Sequence, residues 1–472
     1  MKNLIKNELF KLSHRTETKV LLIFAILVTI VLNFMNYYFS ETNENSYKKQ
    51  LKSMIKFDED MKKSADNIED KIYYYSDYEI NQLKLKYPLI SAETGYINQT
   101  ISDLAEEMYR NQFTNGINSE SYLEVKKEYE EALQKLENYD WKQDINEEIK
   151  ANQEVIDVLS DTTSTSSSTQ TEIDYYQEVI RVLNYRLKNN IPQDGSNASN
   201  TLDEYLESLQ AYKMMNKNVV THQDKIALME VEKALNIGKY ELDHDLIKDQ
   251  GNSYTTIAEE LLSVASGQGF MIMFVAIFIA SMIIPTEFEK GTIKQLLVKP
   301  YTRTEILVSK IIATILYFIG YTIFFLVVNW IVVGIFAGFN TIKAPIIVYD
   351  FGSKTATQVG LIPELIKCFL LVLPRFLLTM FIANLFAIGS KSTVLAMFVG
   401  LSLNMSDFTM LQKPIAKFIL SNCWDFNVFA NGGISMNEYV TLTSSVIVVV
   451  VTTIVVLLLS NIVFKRKEIK NQ

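Results

Sequence analysis

Residues 285–310 read PTEFEKGTIKQLLVKPYTRTEILVSK, a charged hinge set between two long apolar runs. Leu261 to Thr286 is 26 residues without a charge, and Ile311 to Ile342 is another 32. A hydrocarbon core about 30 Å thick needs roughly 20 apolar helical residues, so each run is long enough to span one. Lys290, Lys294, Lys299 and Arg303 lie between them, and an excess of basic residues marks a loop as cytoplasmic. Ile293, Leu296 and Leu297 fall at i, i+3 and i+4, one apolar face of a short helix that Pro300 stops. An amphipathic helix held at the inner membrane surface by two spans is placed to dock into a cytoplasmic partner.

Outward from the hinge, hydropathy predicts an all-α integral membrane protein with six transmembrane helices. The spans are 20–40, 261–284, 306–338, 365–388, 392–410 and 440–464. Residues 1–19 carry an Ile5, Leu9, Leu12 stripe with Lys2, Lys6 and Lys11 elsewhere on the wheel, an interfacial helix with basic anchors. The apolar run after it is too long for the core of a cleaved signal peptide. The basic start and the closing Lys465, Arg466 and Lys467 put both termini inside a bacterial cell membrane. Asn340 to Gly360, with Pro345, then forms an outer loop. Only 15 uncharged residues separate Lys391 from Asp407, so the fifth span is short.

Between the first two spans, residues 41–260 form a large extracytoplasmic domain inserted into the bundle. It holds 24 basic and 43 acidic residues, a net of −19, while the rest of the chain is +10. The formal charge of −9 is a sum of opposites and implies no nucleic acid. The chain's two cysteines, Cys368 and Cys423, lie outside this domain, which therefore holds together by packing alone and fits a Gram-positive envelope. Its periodicity is helical and coiled-coil-like. Tyr122, Val125, Tyr129, Ala132 and Leu136 form one seam, and Ile173, Tyr176, Ile180, Leu183 and Leu187 another. Asp161 to Thr171 and Asn189 to Asn200 read as linkers. The tyrosine-rich surface is either packing between long helices or a binding face for peptide or envelope lipid.

The hinge also carries a family likeness. Glu287, Glu289, Gly291, Thr292, Ile293, Leu296, Leu297, Pro300, Thr302, Arg303, Ile306, Leu307 and Lys310 recur in the order and spacing that resemble the first cytoplasmic loop of ABC type-2 exporter permeases. The resemblance implies a membrane subunit whose loop 285–305 is a coupling helix seated in a separate ATP-binding subunit, which holds ATP and Mg. No cofactor is implied for this chain. Leu296 and Leu297 would pack in the partner's groove, with Glu287, Glu289 and Arg303 setting the register and Gly291 allowing close approach. An N-terminal elbow helix (1–19), small outer helices (411–439) and a second permease chain, identical or not, are likewise implied. The layout of residues 1–40 and 261–472 shares the resemblance; the large outer domain departs from it.

Arg375, behind Pro374 in the fourth span, is the intramembrane functional candidate, since an arginine deep in hydrocarbon costs on the order of 3 kcal/mol. It either lines a path or pairs across a dimer, or it uses the proline kink to reach the headgroups. Gly389-Ser390-Lys391-Ser392-Thr393 lacks the upstream glycine of a phosphate loop and reads as a tight inner turn. Asp243, His244 and Asp245 read as solvated residues of a charged helix, so no metal site is expected. No nucleophile, base and metal constellation points to an enzyme. Two functional expectations follow. One is an exporter permease moving a peptide, lipid-linked molecule or drug; the other is a membrane-anchored sensor or scaffold whose outer domain binds peptide or envelope components.

Overall fold

The computed structural model describes residues 1–87, 100–137, 140–161, 167–193, 196–215, 219–249, 256–267, 270–291, 300–406 and 411–466. The chain divides into two compact units. One comprises Met1–Asn36, Asn218–Lys233 and Thr255–Gln472, and the other Tyr37–Lys217 and Ala234–Tyr254.

The first unit opens with α1 (Lys2–His14) and the start of α2 (Thr16–Ser64), a 49-residue helix that is apolar over Thr16–Tyr38 and belongs to the second unit from Tyr37 on. After α9 (His222–Asp243) come α10 (Ile257–Ala265), α11 (Phe270–Met282), the short α12 (Pro285–Glu289) and α13 (Arg303–Ala337). Then follow α14 (Leu361–Ser390), α15 (Thr393–Met405), the four-residue α16 (Leu420–Cys423) between two 3₁₀ turns, and α17 (Leu442–Arg466). The central post is α11, FMIMFVAIFIASM, apolar on every side and buried on all but the edge formed by Phe270, Phe274 and Phe278. Ile272, Ala276, Ile277 and Ile279 are fully enclosed by the surrounding helices. Gly400 of α15 packs so closely that a Cβ there would sit 2.7 Å from Ile277 Cγ2.

Among the described residues, five stretches are long and apolar enough to cross a membrane: Thr16–Tyr38, Ile257–Glu289, Arg303–Ala337, Leu361–Ser390 and Leu442–Arg466. Apart from the second, they keep much of their apolar surface outward. On α17, Val446, Ile447, Val450, Ile454 and Leu458 are all exposed, a face that hydrocarbon satisfies and water does not. At 13 residues, α15 is only about 20 Å long, so the fifth expected span is seen as a short apolar helix.

The expected outer loop 340–360 is largely a β-hairpin, and among the described residues it holds the one sheet in an otherwise helical fold. β1 (Ile346–Asp350) pairs antiparallel with β2 (Thr355–Val359), Ile346 opposite Val359. β-branched residues favour the strands, and Asp350 Oδ1 accepts the Gly352 and Ser353 N–H groups at 2.8 Å to fix the turn.

The second unit is built from amphipathic helices. α3 (Ile68–Lys86), α4 (Ser102–Asn115) and α5 (Glu120–Glu137) share a core of Ile80, Met108, Val125, Tyr129 and Leu136. α6 (Trp141–Asp161) and α7 (Ser167–Asn189) meet through Ile145, Val179 and Leu183, and α8 (Asn197–Met215) closes on α7 through Val182, Leu202 and Tyr205. Helix α7 begins inside the stretch 161–171 that the composition assigned to a linker; residues 162–166 lie outside the described residues. Of the stretch 41–260, the second unit takes Tyr37–Lys217 and Ala234–Tyr254. Residues 218–233 belong to the first unit, where His222 Nε2 lies 2.9 Å from the Ser435 carbonyl and Lys354 Nζ donates to Glu232 at 3.0 Å.

Candidate functional site

Helix α1 buries Leu4, Glu8 and Leu12, one face at i, i+4 and i+8, with Ile5 and Leu9 half-buried beside it. That face packs on α13, and it carries Glu8 inward with the leucines. Seven residues into α13, Lys310 is fully buried. Between the two apolar runs, Pro285 occupies the first turn of α12, where its missing N–H costs nothing, and Glu287 follows with 2% exposure.

These residues close a four-charge box. Lys310 Nζ donates to Glu8 Oε2 at 2.8 Å and lies 2.6 Å from Glu287 Oε2, an ion pair without hydrogen-bond alignment. Lys11 Nζ donates to Glu8 Oε1 and to Glu287 Oε1, each at 3.0 Å. Two ammoniums and two carboxylates cancel, so three segments far apart in sequence meet in a neutral, nearly dry knot. Burial by itself would raise the Glu8 carboxyl, but the Lys310 and Lys11 ammoniums outweigh it and hold Glu8 below its ordinary value. Burial would likewise lower Lys11, and the Glu287 and Glu8 carboxylates instead hold it above its ordinary value. Arg15 Nη1 donates to Thr286 Oγ1 at 2.7 Å, and Lys290 pairs with Glu17 at 3.5 Å, extending the seam.

A second polar cluster surrounds Arg375. Its Nε donates to Asn404 Oδ1 at 3.2 Å, its Nη1 lies 3.5 Å from Asp425 Oδ2, and its guanidinium sits 5.9 Å from the Trp424 ring centre. Both hydrogens of the Asn404 amide are used, on Thr379 Oγ1 at 3.1 Å and on the Gly400 carbonyl at 3.0 Å, which fixes its oxygen toward Arg375.

The family described as protein of unknown function (DUF2705) matches residues 233–470, half of the chain. The chain belongs to the DUF2705 family. No curated protein and no solved structure gives a match. The DUF2705 match takes in Glu287, Lys310 and the whole Arg375 cluster, and leaves Glu8 and Lys11 outside it.

Of the hinge residues singled out in this DUF2705 protein, Thr292, Ile293, Leu296 and Leu297 lie outside the described residues. Glu287 was expected to face a partner and is enclosed in the box; Glu289 is exposed. Gly291 has φ +65°, a left-handed backbone that glycine adopts without strain. Pro300 is exposed, and Thr302 caps α13 through a reciprocal pair with Glu305. Arg303 Nη1 donates to the Lys465 carbonyl at 2.6 Å, neutralising the C-terminal end of α17. Lys391 adopts φ +57° between α14 and α15, the tight turn its sequence implied. Asp243 pairs with Arg181, His244 stacks on Tyr240, and Asp245 pairs with Lys248. Among the described residues no cluster of His, Cys, Asp or Glu is arranged to hold a metal ion.

Sequence reasoning passed over Glu8, Lys11 and Asp425. Glu8 had a signal, since it stands on the Leu4 and Leu12 face. Lys11 was assigned to the headgroups; it stands a third exposed at the rim of the box, its ammonium donating to both carboxylates. Asp425 had none, because its partner is 50 residues away.

Proposed function

We propose that this protein is the membrane-spanning permease subunit of an ATP-driven ABC exporter, with ATP and Mg held by a separate subunit. In this reading six helices cross the membrane, α15 being the short fifth, both termini are cytoplasmic, and the Tyr37–Lys217 unit is extracytoplasmic. The observation that carries it is the hinge 285–310, whose sequence resembles a coupling helix and whose two flanks are tied to α1 by the four-charge box. A load applied to residues 292–299 reaches α11 through α12 and α13 at once, because Glu287 and Lys310 are locked together. A second permease chain completes the assembly.

The test is affinity purification from native membranes in mild detergent, comparing wild type with Leu296→Asp/Leu297→Asp. The expected outcome is a nucleotide-binding protein that co-purifies with wild type and is lost from the variant. Recovery of no such protein after gentle crosslinking would remove the reading's main support.

A further inference from the structure

We propose that Arg375 and Asn404 form a binding site for an anionic group, the carboxylate or phosphate of an acidic amphiphile, with Asp425 as the resident counter-ion that the ligand displaces. Arg375 lies about 20 Å along α14 from either end, by the helical rise, which is beyond the reach of its side chain to the headgroups. Guanidinium has five N–H donors. Among the described residues, one is engaged by Asn404, and the Asp425 contact at 3.5 Å is too long for a hydrogen bond. The Arg375 side chain is 24% exposed, and none of its nitrogens is both buried and without a hydrogen-bond partner.

The chemistry of the ligand follows from the planar donor fork, which matches carboxylate and phosphate oxygens. Its amphiphilic character follows from the setting, at mid-height of an apolar helix beside the outward face of α15, where Phe398 and Met405 are 70% and 79% exposed. Asp425 is suited to let go. Its Oδ1 accepts the Asn427 N–H at 3.0 Å, so the residue keeps its turn-capping role when Oδ2 leaves the guanidinium. The inference stands apart from the exporter reading, since it rests only on the geometry around Arg375.

The experiment uses the full chain in a neutral detergent, titrated with phosphatidylglycerol and read by native mass spectrometry. Phosphatidylcholine and inorganic phosphate serve as the comparison probes. Wild type is expected to retain phosphatidylglycerol over phosphatidylcholine, Arg375→Gln to lose that preference, and Asp425→Asn to bind about tenfold more tightly because the competing carboxylate is gone. Competition by inorganic phosphate would assign the site to a soluble anion, and its absence to a lipid headgroup; either supports an anion site. Equal retention of both lipids, or unchanged or weaker binding by Asp425→Asn, would overturn it. The Asp425→Asn arm decides the matter even where Arg375→Gln fails to fold.

Discussion

Lys310 has no solvent and two carboxylates, so its removal leaves Glu8 and Glu287 with Lys11 as their shared cation and one buried negative charge in excess. Lys310→Met should destabilise the first unit by about 3–5 kcal/mol, the usual cost of stripping one partner from a buried pair, read as a fall in the thermal midpoint in detergent. Adding Glu8→Gln should restore part of that loss, because the two sites are coupled. The box also sets a pH dependence. The Glu8 pKa is depressed below 4.5, so its contribution is present at neutral pH and is lost as pH falls through the depressed value. Wild type should therefore exceed Glu8→Gln in thermal midpoint at neutral pH, with the gap closing as pH falls through the depressed Glu8 value; a gap that widens in acid would contradict this. An arginine within an apolar run announces itself, but Asn404 and Asp425 are found only when the chain is folded.

At the scale of the elements, the break between α10 and α11 depends on Gly267, at φ +81°. A Cβ there would stand 2.7 Å from Val372 Cγ2 and 3.3 Å from Phe376 Cζ. Gly267→Ala should cost about 1–3 kcal/mol, whereas Gly320→Ala, in open space within α13, should be neutral or slightly stabilising. Comparing their thermal midpoints separates backbone strain from loss of glycine as such. Helix α7 shows where periodicity stops being informative. Its seam was legible at Ile173 and Leu183, but Val182 and Tyr185 are buried too, because α6 and α8 cover two different faces. A single stripe describes a helix with one neighbour. The hairpin was missed for a related reason: strands of five residues in a 21-residue loop leave too short a pattern to separate from a coil.

Across the whole molecule, the exporter reading makes a topological demand. In a Cys368→Ser/Cys423→Ser background, Asn118→Cys should react with a membrane-impermeant maleimide on intact cells, and Glu289→Cys only after permeabilisation. Both positions are exposed, so a reversed pattern would mean inverted topology rather than burial.

The amino-acid sequence by itself determined the long apolar helices, the charge-rich insertion between the first two and the charged hinge. Those are properties of composition and spacing over about 20 or more consecutive residues, and solvent preference acts on them locally. That Glu8, Lys11, Glu287 and Lys310 share one box, that Asp425 reaches Arg375, and that residues 218–233 pack with the first unit emerges on folding alone. Each of those joins residues dozens to hundreds of positions apart, and a buried charge chooses its partner by proximity in space, which no local pattern encodes.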